Sequence, residues 1–280
     1  LDGGQRAALE AKVADEGILL TDAQIAALEK KIGKSFGDAT NPLLVSVRSG
    51  AKFSMPGMME TVLNVGMTPE VTDSLADSTG NARFAWDSYR RFIEMFGKIV
   101  CDIDPSEFHK VQERVASSVG VADIQLFDVQ ALKQICEGFK KVVSLETGQE
   151  FPKDPREHLI RSVEAVFKSW NSERAQMYRR RERIPSDLGT AVNIQSMVFG
   201  NLSDDSGTGV AFSRNPSTGE VGRYGDYLQR AQGEDVVAGI RTPVSLIEFA
   251  VLSPTVAQEL DDVMELLEAH YEDLCDIEFT

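Results

Sequence analysis

The sequence has few cysteines and no long apolar run, and each shortage excludes a class of protein. Three cysteines in 280 residues are too few and too scattered for a disulfide framework or a cysteine metal site. We therefore expect Cys101, Cys136 and Cys275 to be reduced side chains that fill space. No stretch approaches the roughly 20 apolar residues of a membrane helix, and the N-terminal residues lack the basic-then-apolar pattern of a secretory signal. We expect a cytoplasmic protein without a membrane partner.

Basic side chains are also scarce relative to acidic ones. The chain has 29 lysines and arginines against 44 aspartates and glutamates, which gives a formal net charge of −15. Such an acidic chain repels the phosphate backbone of a nucleic acid, so we expect no nucleic-acid partner. A nucleotide is an anion too, and binding one here requires a few well-placed arginines or lysines, backbone amides and a divalent metal held by carboxylates.

Periodicity divides the chain into three segments and predicts an α+β fold. Residues 1–67 combine helical spacing with the β-rich run 43–48, and we interpret them as the first part of one domain. Residues 68–185 carry several apolar stripes at helical spacing, which predict an inserted helical subdomain whose first helix is capped by Thr68. In residues 186–280 the period returns to two along 190–199, which predicts a second subdomain built around strands. Helical spacing near Pro254 to Tyr271 predicts a last helix there.

A glycine-rich connection follows the predicted strand 190–199. Because the connection is short, we expect this strand to pair with the run 210–214 as an antiparallel hairpin. The connection includes Ser206–Gly209, whose amides could approach phosphates. A plain hairpin turn explains the same residues, and the spacing of a Walker motif is absent.

The last six residues predict a strand with two unlike faces. Alternation places Cys275, Ile277 and Phe279 on a buried face, and Asp276 and Glu278 together on the other. A pair of carboxylates suits Mg²⁺, which takes one or two carboxylates, several waters and the phosphates of a nucleotide. Spacing alone also fits a solvated acidic face.

Arg48 ends a predicted strand beside a loop, 49–59, that is rich in glycine, proline and methionine. A guanidinium in this place can bind phosphates and stabilise the charge that develops during phosphoryl transfer. Lys52 can add a second positive charge. Met55, Met58 and Met59 can pack on an adenine ring or simply fill the core. A surface arginine beside an ordinary turn is the alternative.

Two further patterns favour structural explanations. The run Arg179–Arg183 could contact an anionic ligand or another domain, but it also fits a solvated helix face. The three histidines lie in charged, helical surroundings without a nucleophile or a second metal ligand nearby in sequence. We therefore assign no catalytic role to His109, His158 or His270.

Several strings are more specific than these general patterns. They are LLVSVRSGAKFSMPGMMETVLNVG at 43–66, GTAVNIQSMVFGN at 189–201, SGTGVAFSRNPSTGE at 206–220, AQGEDVVAGIRTP at 231–243 and the terminal CDIEFT. Together they closely resemble the pyruvate phosphate dikinase family, and the resemblance extends from about Pro42 to the end of the chain.

The resemblance implies an ATP-grasp nucleotide-binding domain, in which two α+β subdomains hold ATP between antiparallel sheets and a helical subdomain is inserted. Such a domain passes the β-phosphoryl group of ATP to a histidine on a separate swivelling domain, and the γ-phosphoryl group goes to inorganic phosphate. The histidine then phosphorylates pyruvate in a barrel domain. The implied ligands are ATP as substrate and Mg²⁺ as cofactor.

The resemblance also assigns roles to individual residues. Arg48 stands at the phosphate-contacting arginine of the family's VRSG motif, and Asp276 and Glu278 stand at the acidic pair that handles Mg²⁺ and the phosphates. These three are the residues implied to act in catalysis. The other positions implied to bind ATP are Lys52, Gly57, Met58, Met59, Gln195, Ser213, Glu234, Asp235 and Val236.

Other parts of the family pattern are not in this sequence. The resemblance implies a lysine-bearing segment before Leu1, a strand with a glutamine and an arginine after Thr280, the phosphohistidine domain and the barrel. We therefore expect an incomplete, monomeric fragment of a homodimeric enzyme, with weak affinity for ATP and no overall activity. The same module in a phosphoenolpyruvate synthase-like dikinase, or a non-catalytic ATP-grasp interaction module, is the alternative.

Overall fold

A computed structural model describes residues 22–238 and 242–280. The chain forms two compact units, Leu1–Met197 and Val198–Thr280, which we call unit 1 and unit 2. The division of the sequence at residues 67 and 185 stays a prediction, and residues 1–21 of its first segment lie outside the described part.

The described part of unit 1 begins with a helix, which four strands follow. The helix α1 occupies residues 22–32. The strands are β1 (Ser35–Phe36), β2 (Pro42–Leu43), β3 (Val45–Gly50) and β4 (Thr61–Val65). The two-residue strands β1 and β2 pair in parallel, whereas β3 and β4 are antiparallel.

A strand from much later in the chain completes the sheet of unit 1. Strand β5 (Ala191–Ser196) pairs antiparallel with β3, so the order of the sheet is β4-β3-β5. The predicted hairpin between this strand and the run 210–214 is therefore wrong. Residues 191–196 do form a strand, but this strand pairs with β3, which places its half-buried residues Val192 and Ile194 beside an apolar strand. Local spacing does not reveal a partner so distant in sequence.

Helices fill the interval between β4 and β5, as predicted. They are α2 (Pro69–Thr79), α3 (Ala82–Ile99), α4 (Pro105–Val119), a 3₁₀ turn (Ile124–Leu126), α5 (Val129–Thr147), α6 (Pro155–Ser169) and α7 (Glu173–Arg181). We call this interval the helical insert. Helix α2 begins at the predicted cap, where the Thr68 hydroxyl accepts a hydrogen bond from the Val71 amide at 3.2 Å.

Aromatic side chains form the centre of the helical insert. Phe92 and Phe96 on α3 have no exposed surface, and their ring centroids lie 5.7 Å apart. Phe108 on α4 meets Phe139 on α5 edge to face at 5.0 Å. Edge-on pairs are a favoured arrangement of aromatic rings, so the contact between Phe108 and Phe139 fixes α4 against α5.

Unit 2 contains one sheet and three helices among its described residues. Its elements are β6 (Gly207–Arg214), β7 (Val221–Gln229), α8 (Gly233–Ala238), β8 (Val244–Ser245), α9 (Leu246–Leu252), α10 (Pro254–Tyr271) and β9 (Asp276–Phe279). The sheet is antiparallel throughout, in the order β8-β7-β6-β9. Helix α10 has the predicted bounds.

The two longer helices of unit 2 cover one face of its sheet. Tyr227 of β7 packs on Phe249 of α9 with ring centroids 4.3 Å apart, and Met264 of α10 joins the same buried cluster. Ile277 and Phe279 of β9 pack against it. The other face of the sheet is therefore the one that carries the acidic side chains of β9.

The fold is α+β with antiparallel three- and four-stranded sheets, which confirms the predicted class. In the described ranges, no helix has both the length and the apolar character of a membrane span.

Candidate functional site

Arg48 lies on the polar face of the sheet of unit 1. Alternation along β3 buries Val45 and Val47 completely, while Arg48 on the opposite face is exposed. Its cross-strand neighbours are Thr61 on β4 and Asn193 on β5. Side chains in cross-strand register share a face, and neither neighbour is acidic. The guanidinium is therefore presented among short polar side chains, which suits the binding of an anion.

Ser46 connects Arg48 with Gln195. The Arg48 Nε donates to the Ser46 hydroxyl at 3.4 Å, and that hydroxyl lies 3.5 Å from the Gln195 carbonyl oxygen, to which it donates. Gln195 stands opposite Ser46 in the register of β3 and β5, and its side chain is exposed. The sheet thus brings together two predicted site residues, and a buried serine not predicted as a site residue lies between them.

The loop between β3 and β4 carries four other predicted residues. Lys52 is exposed near its start. The Met58 amide donates to the Met55 carbonyl at 3.0 Å, which closes a turn with Pro56 and Gly57 at its centre. Gly57 has a φ of 68°, the left-handed conformation that the third position of a proline-glycine turn requires. The turn therefore needs this glycine for backbone reasons.

The loop methionines differ in burial. Met55 is 6% exposed and belongs to the core of unit 1, whereas Met58 and Met59 are half-buried. Of the two uses that the sequence left open, core filling therefore describes Met55. Met58 and Met59 keep surface that a flat apolar ligand could cover.

In unit 2, Asp276 and Glu278 project from the same face of β9. Both are exposed, while the alternating Ile277 and Phe279 are half-buried against the helices, which confirms the predicted alternation. Residues two apart on a strand are separated by about 7 Å along it. The two side chains are therefore neighbours on one face of the strand, but the backbone spacing alone does not bring their carboxylates into contact.

Hydrogen bonds to β6 hold both ends of β9. The Cys275 amide donates to the Ser213 hydroxyl at 3.0 Å, and the Ser213 amide donates to the Cys275 carbonyl at 3.0 Å. At the other end, the Thr208 hydroxyl donates to the Phe279 carbonyl at 2.9 Å. Ser213 is thus a structural support of the strand that carries the carboxylates, in addition to its implied role at ATP.

Ser213 also faces an ion pair. The Arg214 Nε donates to the Glu268 carboxylate of α10 at 2.7 Å. A hydrogen bond from Arg214, and a smaller effect of one from Ser213, lower the pKa of Glu268, because both favour its ionised form. The contact ties α10 to the end of β6 where β9 begins.

Glu234, Asp235 and Val236 lie in α8, a short helix against β6. All three are half-buried. The Asp235 carboxylate accepts a hydrogen bond from the Gln232 amide at 2.9 Å, at the start of the helix. An acidic side chain in the first turn satisfies an otherwise unpaired helix amide, so Asp235 has a local structural role beside its implied one.

The donor set for a metal is a pair of carboxylates. Within residues 22–238 and 242–280, no three or more His, Cys, Asp or Glu side chains are placed to hold a metal ion together. Mg²⁺ commonly uses one or two carboxylates and keeps waters and nucleotide phosphates as its other ligands. Asp276 and Glu278 therefore fit a metal that arrives with a nucleotide.

The glycines of the Ser206–Gly209 run serve strand packing. Gly207 and Gly209 belong to β6, so this run is neither a phosphate loop nor the tip of a hairpin. A Cβ on Gly209 would lie 2.5 Å from both the Asp226 carbonyl and the Phe279 ring, and one on Gly207 would overlap the Tyr227 ring. Close approach of neighbouring side chains explains these glycines.

The arginine run is only partly a solvated face. Arg179 is 3% exposed, its guanidinium carbon lies 4.0 Å from the Trp170 ring centroid, and its Nη1 donates to the Trp170 carbonyl at 2.5 Å. His158 is also buried, with Nε2 2.7 Å from the Pro152 carbonyl. Both are structural residues of the helical insert, and periodicity alone gave no signal of their burial.

The predicted site residues thus fall into two groups. Unit 1 places Arg48 and Gln195 on adjacent strands and the four loop residues between β3 and β4. Unit 2 places Ser213 and the two carboxylates on paired strands β6 and β9, with the three α8 residues nearby in the same unit. The group in unit 1 includes the cationic side chains of Arg48 and Lys52, and the group in unit 2 includes the carboxylates of Asp276 and Glu278.

Comparison with known proteins assigns the family. The family model described as "Pyruvate phosphate dikinase, AMP/ATP-binding domain" matches residues 20–251. The chain belongs to this family. The pyruvate, phosphate dikinase of Giardia intestinalis is 51% identical over 258 residues and that of Clostridium symbiosum is 50% identical over 254. The chloroplastic pyruvate, phosphate dikinase 1 of Arabidopsis thaliana is 51% identical over 253 residues.

The similarity covers most of this chain but a minor part of each relative. In all three comparisons the alignment includes 90% of the chain, against 29% of the Giardia and Clostridium proteins and 26% of the Arabidopsis protein. The chain therefore spans less than a third of the length of these pyruvate phosphate dikinase relatives.

Proposed function

We propose that this chain is the nucleotide-binding part of a pyruvate phosphate dikinase and that it binds ATP together with Mg²⁺. The family is defined by an AMP/ATP-binding domain, which supports ATP as the ligand. The main support for the proposed binding residues is that Arg48 lies on an open polar face of the sheet, with Gln195 on the adjacent strand.

In this proposal Arg48 binds the phosphates of ATP. A guanidinium offers several donors in a fixed plane and remains charged at any physiological pH, so it can donate two parallel hydrogen bonds to phosphate oxygens. During phosphoryl transfer it also stabilises charge that spreads over the transferred group. Lys52 adds a positive charge, and Met58 and Met59 cover an apolar part of the nucleotide.

Asp276 and Glu278 would hold Mg²⁺ in the proposed site. Their exposure on one face of β9 supports this assignment. When bound, the metal neutralises phosphate charge. The remaining proposed contacts to ATP come from Gln195, Ser213 and the α8 residues Glu234 to Val236.

The complete reaction needs more than this chain. We propose that the β-phosphoryl group passes to a histidine on a swivelling domain, and that inorganic phosphate accepts the γ-phosphoryl group. A barrel domain then converts pyruvate to phosphoenolpyruvate. The relatives' greater length leaves room for both domains. We further propose a cytoplasmic, homodimeric parent, and an ATP-grasp arrangement with divisions at residues 67 and 185.

Calorimetric titration with Mg-ATP tests the assignment of Arg48. Hydrogen bonds to charged groups are worth about 1.5–3 kcal/mol each, so Arg48→Ala should weaken binding by roughly ten- to a hundredfold. Arg114→Ala, which removes another exposed arginine from α4 of the same unit, is the matched control and should bind like the wild type.

The metal assignment needs its own comparison. The double variant Asp276→Ala/Glu278→Ala should lose the Mg²⁺ dependence of binding, whereas Glu259→Ala on α10 should retain it. Wild-type protein that shows no saturable Mg-ATP binding would contradict the proposed function. Binding that is equally strong in the Arg48 and Arg114 variants would contradict the site.

A further inference from the structure

The loop that carries Gly57, Met58 and Met59 is attached to the helical insert at its last residue. Glu60 directly precedes Thr61, the first residue of β4 and the cross-strand neighbour of Arg48. Two side chains from the end of α6 and the start of α7 contact this point. The attachment lies wholly within unit 1.

The first contact is made by Ser169, the last residue of α6. Its hydroxyl accepts a hydrogen bond from the Glu60 amide at 3.2 Å, donates to the Val166 carbonyl at 2.7 Å and lies 3.9 Å from the Met59 sulfur. Ser169 is 5% exposed. A buried hydroxyl that satisfies a loop amide fixes that part of the backbone.

The second contact is an ion pair across the same point. The Arg174 guanidinium on α7 donates to the Glu60 carboxylate. The side chains of Arg174 and Glu60 are 49% and 30% exposed, so the pair adds little to overall stability. It does restrict Glu60, whose amide is the group held by Ser169.

The residues that make the attachment are themselves well fixed. Trp170 follows Ser169 and is 6% exposed. Arg179, further along α7, lies over its ring and donates to its carbonyl oxygen. The connection from α6 to α7 is therefore held from the inside of the helical insert, and the loop is attached to a rigid support.

We propose that Ser169 and Arg174 are positioning residues that hold the nucleotide loop of residues 51–60 in its binding conformation. The inference deepens the proposed function, on which it rests, and it gives the helical insert a role in nucleotide binding. Neither residue touches the nucleotide. They act through Glu60, on the backbone that presents Met58 and Met59.

Charge reversal and restoration test the ion pair. Arg174→Glu and Glu60→Arg each break it, and the double variant restores it with the charges exchanged. The matched control is Arg156→Glu, which breaks a pair between α6 and Asp22, away from the loop, whose arginine is as exposed as Arg174. Ser169→Ala removes the acceptor for the Glu60 amide, and Ser169→Thr retains it.

Two measurements on the whole chain separate positioning from general destabilisation. Amide hydrogen exchange should be about two- to fivefold faster at residues 57–62 in both single charge variants and in Ser169→Ala, as expected from the loss of an exposed pair or one hydrogen bond. It should return to the wild-type rate in the double variant and in Ser169→Thr. Affinity for Mg-ATP should fall by about the same factor, and affinity for Mg-tripolyphosphate, which lacks adenosine, should fall less.

The outcomes distinguish this inference from the proposed function. If the wild type does not bind Mg-ATP, the proposed function fails and the inference fails with it. If the wild type binds but the variants exchange and bind as the Arg156→Glu control does, the inference alone fails. Equal losses for Mg-ATP and Mg-tripolyphosphate would also overturn it, because the effect would then not act through Met58 and Met59, which are proposed to cover the apolar part of the nucleotide.

Discussion

The helical insert of unit 1 and the sheet layer of unit 2 are held together in different ways. Among the described residues, Leu246 is the only one of the largest fully buried side chains that belongs to unit 2, and the others lie in unit 1. The core of unit 2 is a small cluster that includes Tyr227, Phe249 and Met264, and the side chains packed around it are only partly buried.

This difference indicates how rigidly each unit holds its own predicted residues. Large buried side chains make many contacts and resist local opening, whereas a thin core covered by partly exposed residues opens more easily. The arginine and its loop therefore lie on a stiff support, and the carboxylates of β9 lie in the more adaptable unit. Three predictions test this comparison.

The largest effect is expected from removing one aromatic ring in each unit. Phe96→Ala in α3 should lower the free energy of unfolding by about 4–5 kcal/mol, since the ring has no exposed surface and rigid neighbours. Phe249→Ala in α9 should cost about 3 kcal/mol, since its neighbours Leu260 and Phe279 are only partly buried. Urea unfolding followed by circular dichroism measures both, and a larger cost for Phe249→Ala would reverse the comparison.

An intermediate effect is expected from acid, acting on unit 1. His158 is enclosed by Phe92, Phe96 and Phe151, and burial lowers its pKa. The unfolded chain, with a histidine pKa of about 6.5, therefore binds the proton more readily than the folded one. The contribution of His158 to the free energy of unfolding should therefore be constant above about pH 6.5. It should fall as the pH drops through this value towards the lower pKa of the folded state.

Thermal unfolding between pH 7.5 and 5 measures this dependence. His158→Gln keeps an amide donor for the Pro152 carbonyl but does not titrate, so its unfolding temperature should change less over the interval. His270→Gln in α10 is the control and should behave as the wild type does. A steeper pH dependence in His158→Gln than in the wild type would show that the buried histidine is not the cause.

The smallest effect concerns how helices end in the two units. In unit 1, α2, α4 and α5 end at glycines in the left-handed conformation, of which Gly120 has a φ of 71°. In unit 2, α10 ends at Glu272 in the same conformation, with a φ of 55°. A side chain costs roughly 1–2 kcal/mol there.

Exchanging these residue types should have opposite effects. Glu272→Gly should raise the free energy of unfolding by up to about 1 kcal/mol, and Gly120→Glu should lower it by a similar amount. Differential scanning calorimetry of the two variants measures this. A destabilised Glu272→Gly protein would mean that the glutamate side chain contributes contacts that outweigh the backbone strain.

Local structure was largely predictable from the sequence because its causes are local. Pro254 and Tyr271 bound α10 as the spacing indicated, Thr68 caps α2, and β9 alternates as two-residue periodicity requires. Strings characteristic of the family identified Arg48 and the carboxylate pair as candidates. These inferences depended on residues close together in sequence, where helical and strand periods act.

Strand pairing and burial of polar residues were not predictable in this way. Strand β5 pairs with β3 rather than with its neighbour β6, because its apolar partners lie far away in sequence. Arg179 and His158 are buried by contacts with Trp170 and a phenylalanine cluster that their own segments do not reveal. The support from Ser169 depends likewise on two segments that meet only in the folded chain.

The pairing of β3 with β5 has a consequence for how the chain acquires its structure. Ser46 and Gln195 are 149 residues apart in sequence. Strand β3 can therefore pair with β5 only after the helices between the two strands have been synthesised. Contacts within the insert are more local and should form first, shortening the effective separation of the strands. We expect the three-stranded sheet to be among the last parts of unit 1 to form during synthesis, so that Arg48 lacks its neighbours on β5 until then.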